Sequence, residues 1–116
     1  MIKTASELIA AAQTKIGCLD VAAAKALYDD AENAVIIDVR EAASAENCKL
    51  GAAINISRGL IEMKVPKLCS DPDTLILIHC GGGGRASLAA LTLQEMGYTN
   101  VHAITAKFED IKKAFG

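Results

Sequence analysis

One segment constrains this chain more than any other. Thr74 to Ile78 (Thr-Leu-Ile-Leu-Ile) runs directly into His79, Cys80, four consecutive glycines and Arg85. A short, continuous apolar run bounded by turn residues reads as a strand covered on both faces. Arg85 to Met96 then reads as a helix, with Gly97 where a left-handed cap residue belongs. A strand, a tight turn and a helix in that order belong to an α/β fold, where ligands gather beyond the carboxyl ends of the strands. Cys80 is placed at such an end.

The rest of the chain fits the same architecture. Thr4 and Glu7 have capping-box spacing, and Leu8, Ile9 and Ala12 follow at helical intervals, so a first helix begins at Thr4. A short strand over Ile16 to Leu19 precedes Asp20, the expected N-cap of a helix from Val21 to Tyr28. Ala34 to Val39 is a second apolar, β-branched strand, Glu41 to Asn47 an Ala-rich helix, and Ala53 to Ile56 a short strand. Leu60 to Val65 supports one or two helical turns. Val101 to Ile104 reads as the last strand and Lys107 to Phe115 as the last helix. Both prolines, Pro66 and Pro72, are expected in loops. The expectation is a three-layer α/β domain: a central, mostly parallel five-stranded sheet with helices on both faces. At 116 residues one domain spanning 1–116 is expected, with 1–15 a helix added to its core.

The chemistry of the loop follows from its residues. Gly81, Gly82, Gly83 and Gly84 permit a turn whose N–H groups point inward. The helix entry adds unpaired N–H groups and the positive end of a dipole. The result is an anion pocket centred on a sulfur, and such a setting favours a reactive cysteine over an inert, packed one. Two covalent chemistries use a loop of this kind. Cysteine phosphatases separate the Cys from the Arg by one residue more than the glycines provide here. A loop from Cys80 to Arg85 is tight for a tetrahedral phosphate yet holds a single terminal sulfur atom.

Composition excludes other classes. Twelve basic residues face 14 acidic ones, so the net charge is −2 and nothing favours nucleic acid or an anionic membrane surface. No apolar run is long enough to span a bilayer, and Met1 to Lys15 lacks the unbroken apolar stretch of a signal peptide, so a cytoplasmic location is expected. Cys18, Cys48, Cys69 and Cys80 form no Cys-x-x-Cys pair, which argues against a zinc site or a dithiol. No spacing singles out Cys48 or Cys69 as a resolving thiol.

Several of these signals together resemble one family. Cys80-x-x-Gly83-x-Arg85 is similar to the active-site loop of rhodanese domains. Ile36-Ile37-Asp38-Val39-Arg40-Glu41 resembles the family's Leu-Ile-Asp-Val-Arg-Glu strand end, and Ala53-Ile54-Asn55-Ile56 its Gly-Ala-Ile-Asn-Ile-Pro strand. Arg58-Gly59 with Glu62 resembles a variant of single-domain members, and Leu91 to His102 the Leu-x-x-x-Gly-Tyr-x-x-Val stretch. The resemblance runs from about residue 16 to 116. It implies a single-domain rhodanese fold and a sulfurtransferase that carries sulfane sulfur on Cys80 as a persulfide. It implies no metal and no organic cofactor. The partners would be a small-molecule donor such as thiosulfate and a thiol or cyanide acceptor, with a protein thiol also able to accept. A monomer or weak homodimer is expected. The alternatives are a rhodanese-like module that binds or senses redox state without turnover and, behind it, a cysteine phosphatase or arsenate reductase.

The candidate residues carry different expectations. Cys80 is the nucleophile, and Gly81 to Arg85 bind the anion it bears. Arg85 stands evenly between contacting the anion and bracing the loop through Asp38 or Glu41. Asp38, Arg40 and Arg58 are candidate supporting residues. Ala86 occupies the position after the loop arginine, usually Ser or Thr in the family, and Ser87 comes one position late. Ala106-Lys107 replaces the start of the family's Gly-Gly-x-x-x-Trp segment, and Lys107 is expected to add positive charge at the pocket mouth. The His79 side chain should point away from the pocket, into the core.

Overall fold

A computed structural model describes residues 1–116. Twelve elements follow one another: α1 (Ala5–Gln13), β1 (Gly17–Leu19), α2 (Val21–Asp30), β2 (Ala34–Asp38), α3 (Ala42–Asn47), β3 (Ala53–Asn55), a 3-10 turn (Arg58–Leu60), α4 (Ile61–Leu68), β4 (Leu75–His79), α5 (Gly84–Met96), β5 (Val101–Ile104) and α6 (Phe108–Phe115). The five strands form one sheet in the order β1-β5-β4-β2-β3. Every pairing is parallel, so the sheet expected to be mostly parallel is wholly so.

Side-chain alternation along the strands divides the core into two faces. Ile76, Ile78 and Cys80 project with Ile37 and Val39 toward α4 and α5. Leu75 and Leu77 project with Ile36 and Ile104 toward α2 and α6. All five residues of β4 are buried, and each of its Ile or Leu side chains contributes about 2 kcal/mol relative to exposure. Ala86, Ala89 and Ala90 let α5 pack closely against the sheet, since none of them retains any exposure.

Local chemistry sets the element ends. The Thr4 hydroxyl accepts the Glu7 N–H at 3.1 Å, and the Glu7 carboxylate reaches back to the Thr4 N–H at 3.3 Å, which makes the capping box complete. The Asp20 carboxylate accepts the Ala23 N–H at 2.7 Å. Gly97 ends α5 at φ 114°, and the Tyr98 N–H behind it returns to the Leu93 carbonyl. Three expectations are corrected. Pro66 lies inside α4 rather than in a loop, because burial of Ile61 and Val65 outweighs the hydrogen bond that proline cannot make. The turns foreseen from Leu60 to Val65 begin earlier, in the 3-10 turn, and run to Leu68. β4 begins one residue later than expected, at Leu75, and ends at His79, whose neighbour in β2 is Asp38.

Candidate functional site

β4 delivers Cys80 to the carboxyl edge of the sheet with 1% of its surface exposed. The chain then turns through Gly81 and Gly82 into α5, and two backbone donors aim at the sulfur. The Gly83 N–H lies 3.1 Å from Cys80 Sγ and the Ala86 N–H 3.4 Å from it. Both belong to the entry of a 13-residue helix whose dipole adds positive potential there. Of the expected cradle, Gly81 to Arg85, only Gly83 directs its N–H at the sulfur, and Ala86, one residue beyond, supplies the second donor through its backbone.

The four glycines are not equivalent. Gly83 sits at φ 102°, and a Cβ there would come 3.1 Å from the Thr105 Cα. Backbone conformation and close approach both demand glycine at that position. A Cβ on Gly82 would meet nothing, and one on Gly84 would meet only the movable end of Ile9. The loop is fixed from two sides. The Phe108 N–H donates to the Gly81 carbonyl at 3.3 Å. The Gly83 carbonyl accepts the Ser87 N–H at 2.9 Å and the Ser87 hydroxyl at 2.6 Å.

Arg85 braces the loop. Its guanidinium pairs with the Glu41 carboxylate, and its Nη2 lies 3.4 Å from where a Gly81 Cβ would be. The side chain folds over the outside of the turn, and Sγ takes its hydrogen bonds from backbone instead. The Glu41 carboxyl is held below the usual range by a backbone hydrogen bond and by Arg85.

Asp38 and Arg40 form a buried pair on the opposite face of the sheet edge. Arg40 donates to the Asp38 carboxylate through Nε at 3.0 and 3.2 Å, Nη2 at 2.8 Å and its own N–H at 3.0 Å. Nη2 also reaches the Cys48 carbonyl at 2.7 Å. Burial alone would raise the Asp38 carboxyl, but the Arg40 hydrogen bonds outweigh it and the net direction is down. The Arg40 guanidinium lies 4.0 Å from the Phe108 ring centre, and the fully buried His79 ring packs near the same phenyl at 5.9 Å. Neither nitrogen of His79 has a partner. Burial pushes its pKa below the ordinary histidine value against the pull of Asp38, so the ring stays neutral near pH 7. Phe108 therefore connects this buried group to the Cys80 loop through its N–H bond to Gly81.

Two candidates stand apart from the sulfur. Arg58 turns down the flank of α5, donating to the Thr92 hydroxyl at 3.0 Å and pairing with Glu62 at 3.4 Å. Thr92 is about two turns along α5 from the loop. Lys107 is exposed at the N-cap of α6, next in sequence to Phe108. Among the other thiols, Cys18 and Cys48 are exposed and Cys69 is buried at the end of α4, where the strands begin rather than end. Partial desolvation by its neighbours still pushes the Cys18 thiol up. The surface clefts lie elsewhere too: one lies between Pro66 and Tyr98, one before β4, and one beside β3. The resemblance reaches Phe108 only as part of the segment after the last strand, and nothing in the sequence singles out Thr105 or Gln13, whose connection to the loop is purely three-dimensional.

Comparison with known proteins agrees with this geometry. The profile of the family described as Rhodanese-like domain matches residues 20–114. The chain is similar to the solved structure of a protein of unknown function, RPA3614 of Rhodopseudomonas palustris CGA009, described as a possible tyrosine phosphatase. That similarity has 28% identity and a TM-score of 0.85, and it covers 100% of this chain and 94% of the other. A rhodanese with anions from E. coli is 27% identical with a TM-score of 0.63, over 67% of this chain and 91% of the other. A rhodanese-related protein of Thermoplasma volcanium shares the fold at 21% identity and a TM-score of 0.67, over 84% of this chain and 91% of the other. A search of curated protein sequences finds no match.

Proposed function

The chain belongs to the rhodanese-like domain family, and from that premise we propose that it is a sulfurtransferase working through a persulfide on Cys80. The Cys80 thiolate attacks the outer sulfur of a donor such as thiosulfate. A new S–S bond forms, the donor's S–S bond breaks, and sulfite leaves with the electron pair. An acceptor thiolate, or cyanide in an assay, then attacks the outer sulfur and Cys80 departs as thiolate. This is covalent nucleophilic catalysis, with fixed N–H donors stabilising the anion at each stage. A protein thiol would serve as acceptor by the same step.

The observation that carries the reading is the pair of N–H groups, Gly83 and Ala86, converging on Sγ. Lys107, next in sequence to the Phe108 whose N–H holds Gly81, would favour an anionic donor. A compartment that keeps thiols reduced, such as the cytoplasm, suits four free cysteines. No helix is long and apolar enough to cross a membrane.

A phosphatase reading is favoured by the description of the Rhodopseudomonas palustris protein. Against it stands the loop. A phosphate needs donors around three oxygens and an arginine turned toward them, while Arg85 here is committed to Glu41 outside the turn. Mass spectrometry after thiosulfate treatment separates the possibilities. The expected result is a gain of one sulfur atom on the native chain and none on Cys80→Ser. Turnover of an aryl phosphate without sulfur uptake would establish the phosphatase. Neither activity, from any donor, would mark a binding module.

A further inference from the structure

Helix α1 lies outside the residues matched to the family, 20–114. It nonetheless touches the Cys80 loop through a continuous chain of contacts. Ile9 packs end-on against Gly84, so closely that a Cβ on Gly84 would fall 2.8 Å from Ile9 Cδ1. One turn on, Gln13 Nε2 donates to Ser87 Oγ at 3.0 Å. Ser87 Oγ donates in turn to the Gly83 carbonyl at 2.6 Å, and the Gly83 N–H holds Cys80 Sγ at 3.1 Å. The Lys15 carbonyl takes a further bond from Gln94 at 2.9 Å, which sets α1 alongside α5 over its length.

We infer that Gln13 is a positioning residue for Cys80, and that α1 is a working part of the site. The argument rests on the polarity of the relay. A serine hydroxyl has one proton to give. When Gln13 supplies a donor, the Ser87 lone pair is satisfied and its proton is directed to Gly83. Gly83 is the one loop residue at positive φ, so its orientation depends on being held at both ends. Its carbonyl end is held by Ser87 and its N–H end points at the sulfur. Removing the donor frees the Ser87 hydroxyl to rotate, and the Gly83 N–H loses part of its aim. The charged and titratable groups around the loop, namely Asp38 with Arg40, Glu41 with Arg85, His79, Arg58 and Lys107, make no hydrogen bond to the Gln13 side chain, whose partner is Ser87, so the relay works through geometry.

This inference deepens the sulfur-transfer reading and rests on it for its catalytic meaning, but its test does not. Gln13 is exposed, so Gln13→Met keeps its length, removes the donor and leaves the fold intact. The primary readout is the rate at which iodoacetamide modifies Cys80, followed by peptide mapping because Cys18 and Cys48 are also exposed. Gln13→Met should slow that rate about threefold, as expected for one part-exposed hydrogen bond. Ser87→Ala should slow it at least as much. Gln13→Met added to Ser87→Ala should have no further effect, because the relay is already cut. In thiosulfate assays kcat should fall with KM unchanged, since Gln13 touches no substrate. Gln13→Lys, which restores a donor, should recover most of the rate. A native rate in Gln13→Met, or additive losses in the double variant, overturns the inference. If Ser87→Ala does not fold, the comparison of Gln13→Met with Gln13→Lys decides alone. A native chain that alkylates normally but takes up no sulfur retires the sulfur-transfer reading and leaves the positioning role standing.

Discussion

Replacing Asp38 by Asn tests how the sheet edge beneath the loop is held. The side chain changes by one atom, so packing is preserved and the charge is lost. In the native chain Asp38 is fully buried and Arg40 is 7% exposed. The carboxylate accepts from three Arg40 nitrogens, and the same guanidinium is committed to the Cys48 carbonyl. Removing the counter-charge leaves a buried guanidinium uncompensated, which costs about 3 kcal/mol. A chain of this length gains about 0.24 kcal/mol per degree in unfolding entropy near its midpoint, so the melting temperature should drop by about 12 °C. Differential scanning calorimetry and urea unfolding at pH 7 measure both. Because the folded Asp38 carboxyl titrates below its unfolded value of about 3.9, the pair's stabilisation is complete above that value. It disappears as the pH falls through the folded value. The native chain and the Asp38→Asn variant should therefore converge in stability as the pH falls through the folded Asp38 value. A loss under about 1 kcal/mol at pH 7 would show that the pair offsets little more than its own desolvation. The double variant Asp38→Asn with Arg40→Met should recover part of the loss. If it does not, the uncompensated charge is not the cause.

Gly83→Ala should abolish most Cys80 alkylation and lower stability by roughly 1–3 kcal/mol, from its positive φ and the nearby Thr105 backbone; Gly82→Ala, with open space around it, should leave both within a factor of two. Equal effects from the two substitutions would refute the distinction drawn between these glycines. Lys107→Ala should raise the thiosulfate KM about threefold with kcat kept, and an unchanged KM would remove it from the pocket mouth. His79 folds with its pKa depressed by burial, so the unfolded chain binds its proton first and native stability falls as the pH drops below about 6.5. His79→Leu should flatten that slope in urea unfolding between pH 7 and 5, leaving the part due to His102, which burial also depresses; an unchanged slope would refute it.

The elements that local pattern controls were legible in the sequence. β4 and α5 announced themselves through an apolar run, a glycine turn and Gly97, and α1 through the spacing of Thr4 and Glu7. The placement of Cys80 was legible for the same reason, since strand, cysteine and helix entry are contiguous. What stayed hidden depends on partners far apart in the chain. Arg85 stood evenly between two roles, and only the fold brings Glu41, 44 positions away, to settle its contact. Gln13 and Ser87 are 74 positions apart, and no periodicity links them. Pro66 misled because its signal is local, while the packing of Ile61 and Val65 that overrides it is tertiary. The glycines looked alike because sequence does not reveal which of them will approach Thr105.

The pattern of occupied side chains has its own consequence. Arg40, Arg58 and Arg85, the three arginines that sequence pointed to around the sulfur, are each engaged with a protein partner: Asp38, Thr92 with Glu62, and Glu41. The only donors on Sγ are peptide N–H groups. A site built this way holds little net charge but a fixed field, confined to the reach of two hydrogen bonds. It stabilises one atom bearing negative charge, and a thiolate and the terminal sulfur of a persulfide each present one. A phosphoryl group spreads its charge over three oxygens and needs charged donors free to meet them. Freeing Arg85 from Glu41 would not supply that, because the turn would still be one residue short. Loop length and side-chain pairing are separate physical restrictions, and both support the proposed reading of sulfur over phosphorus.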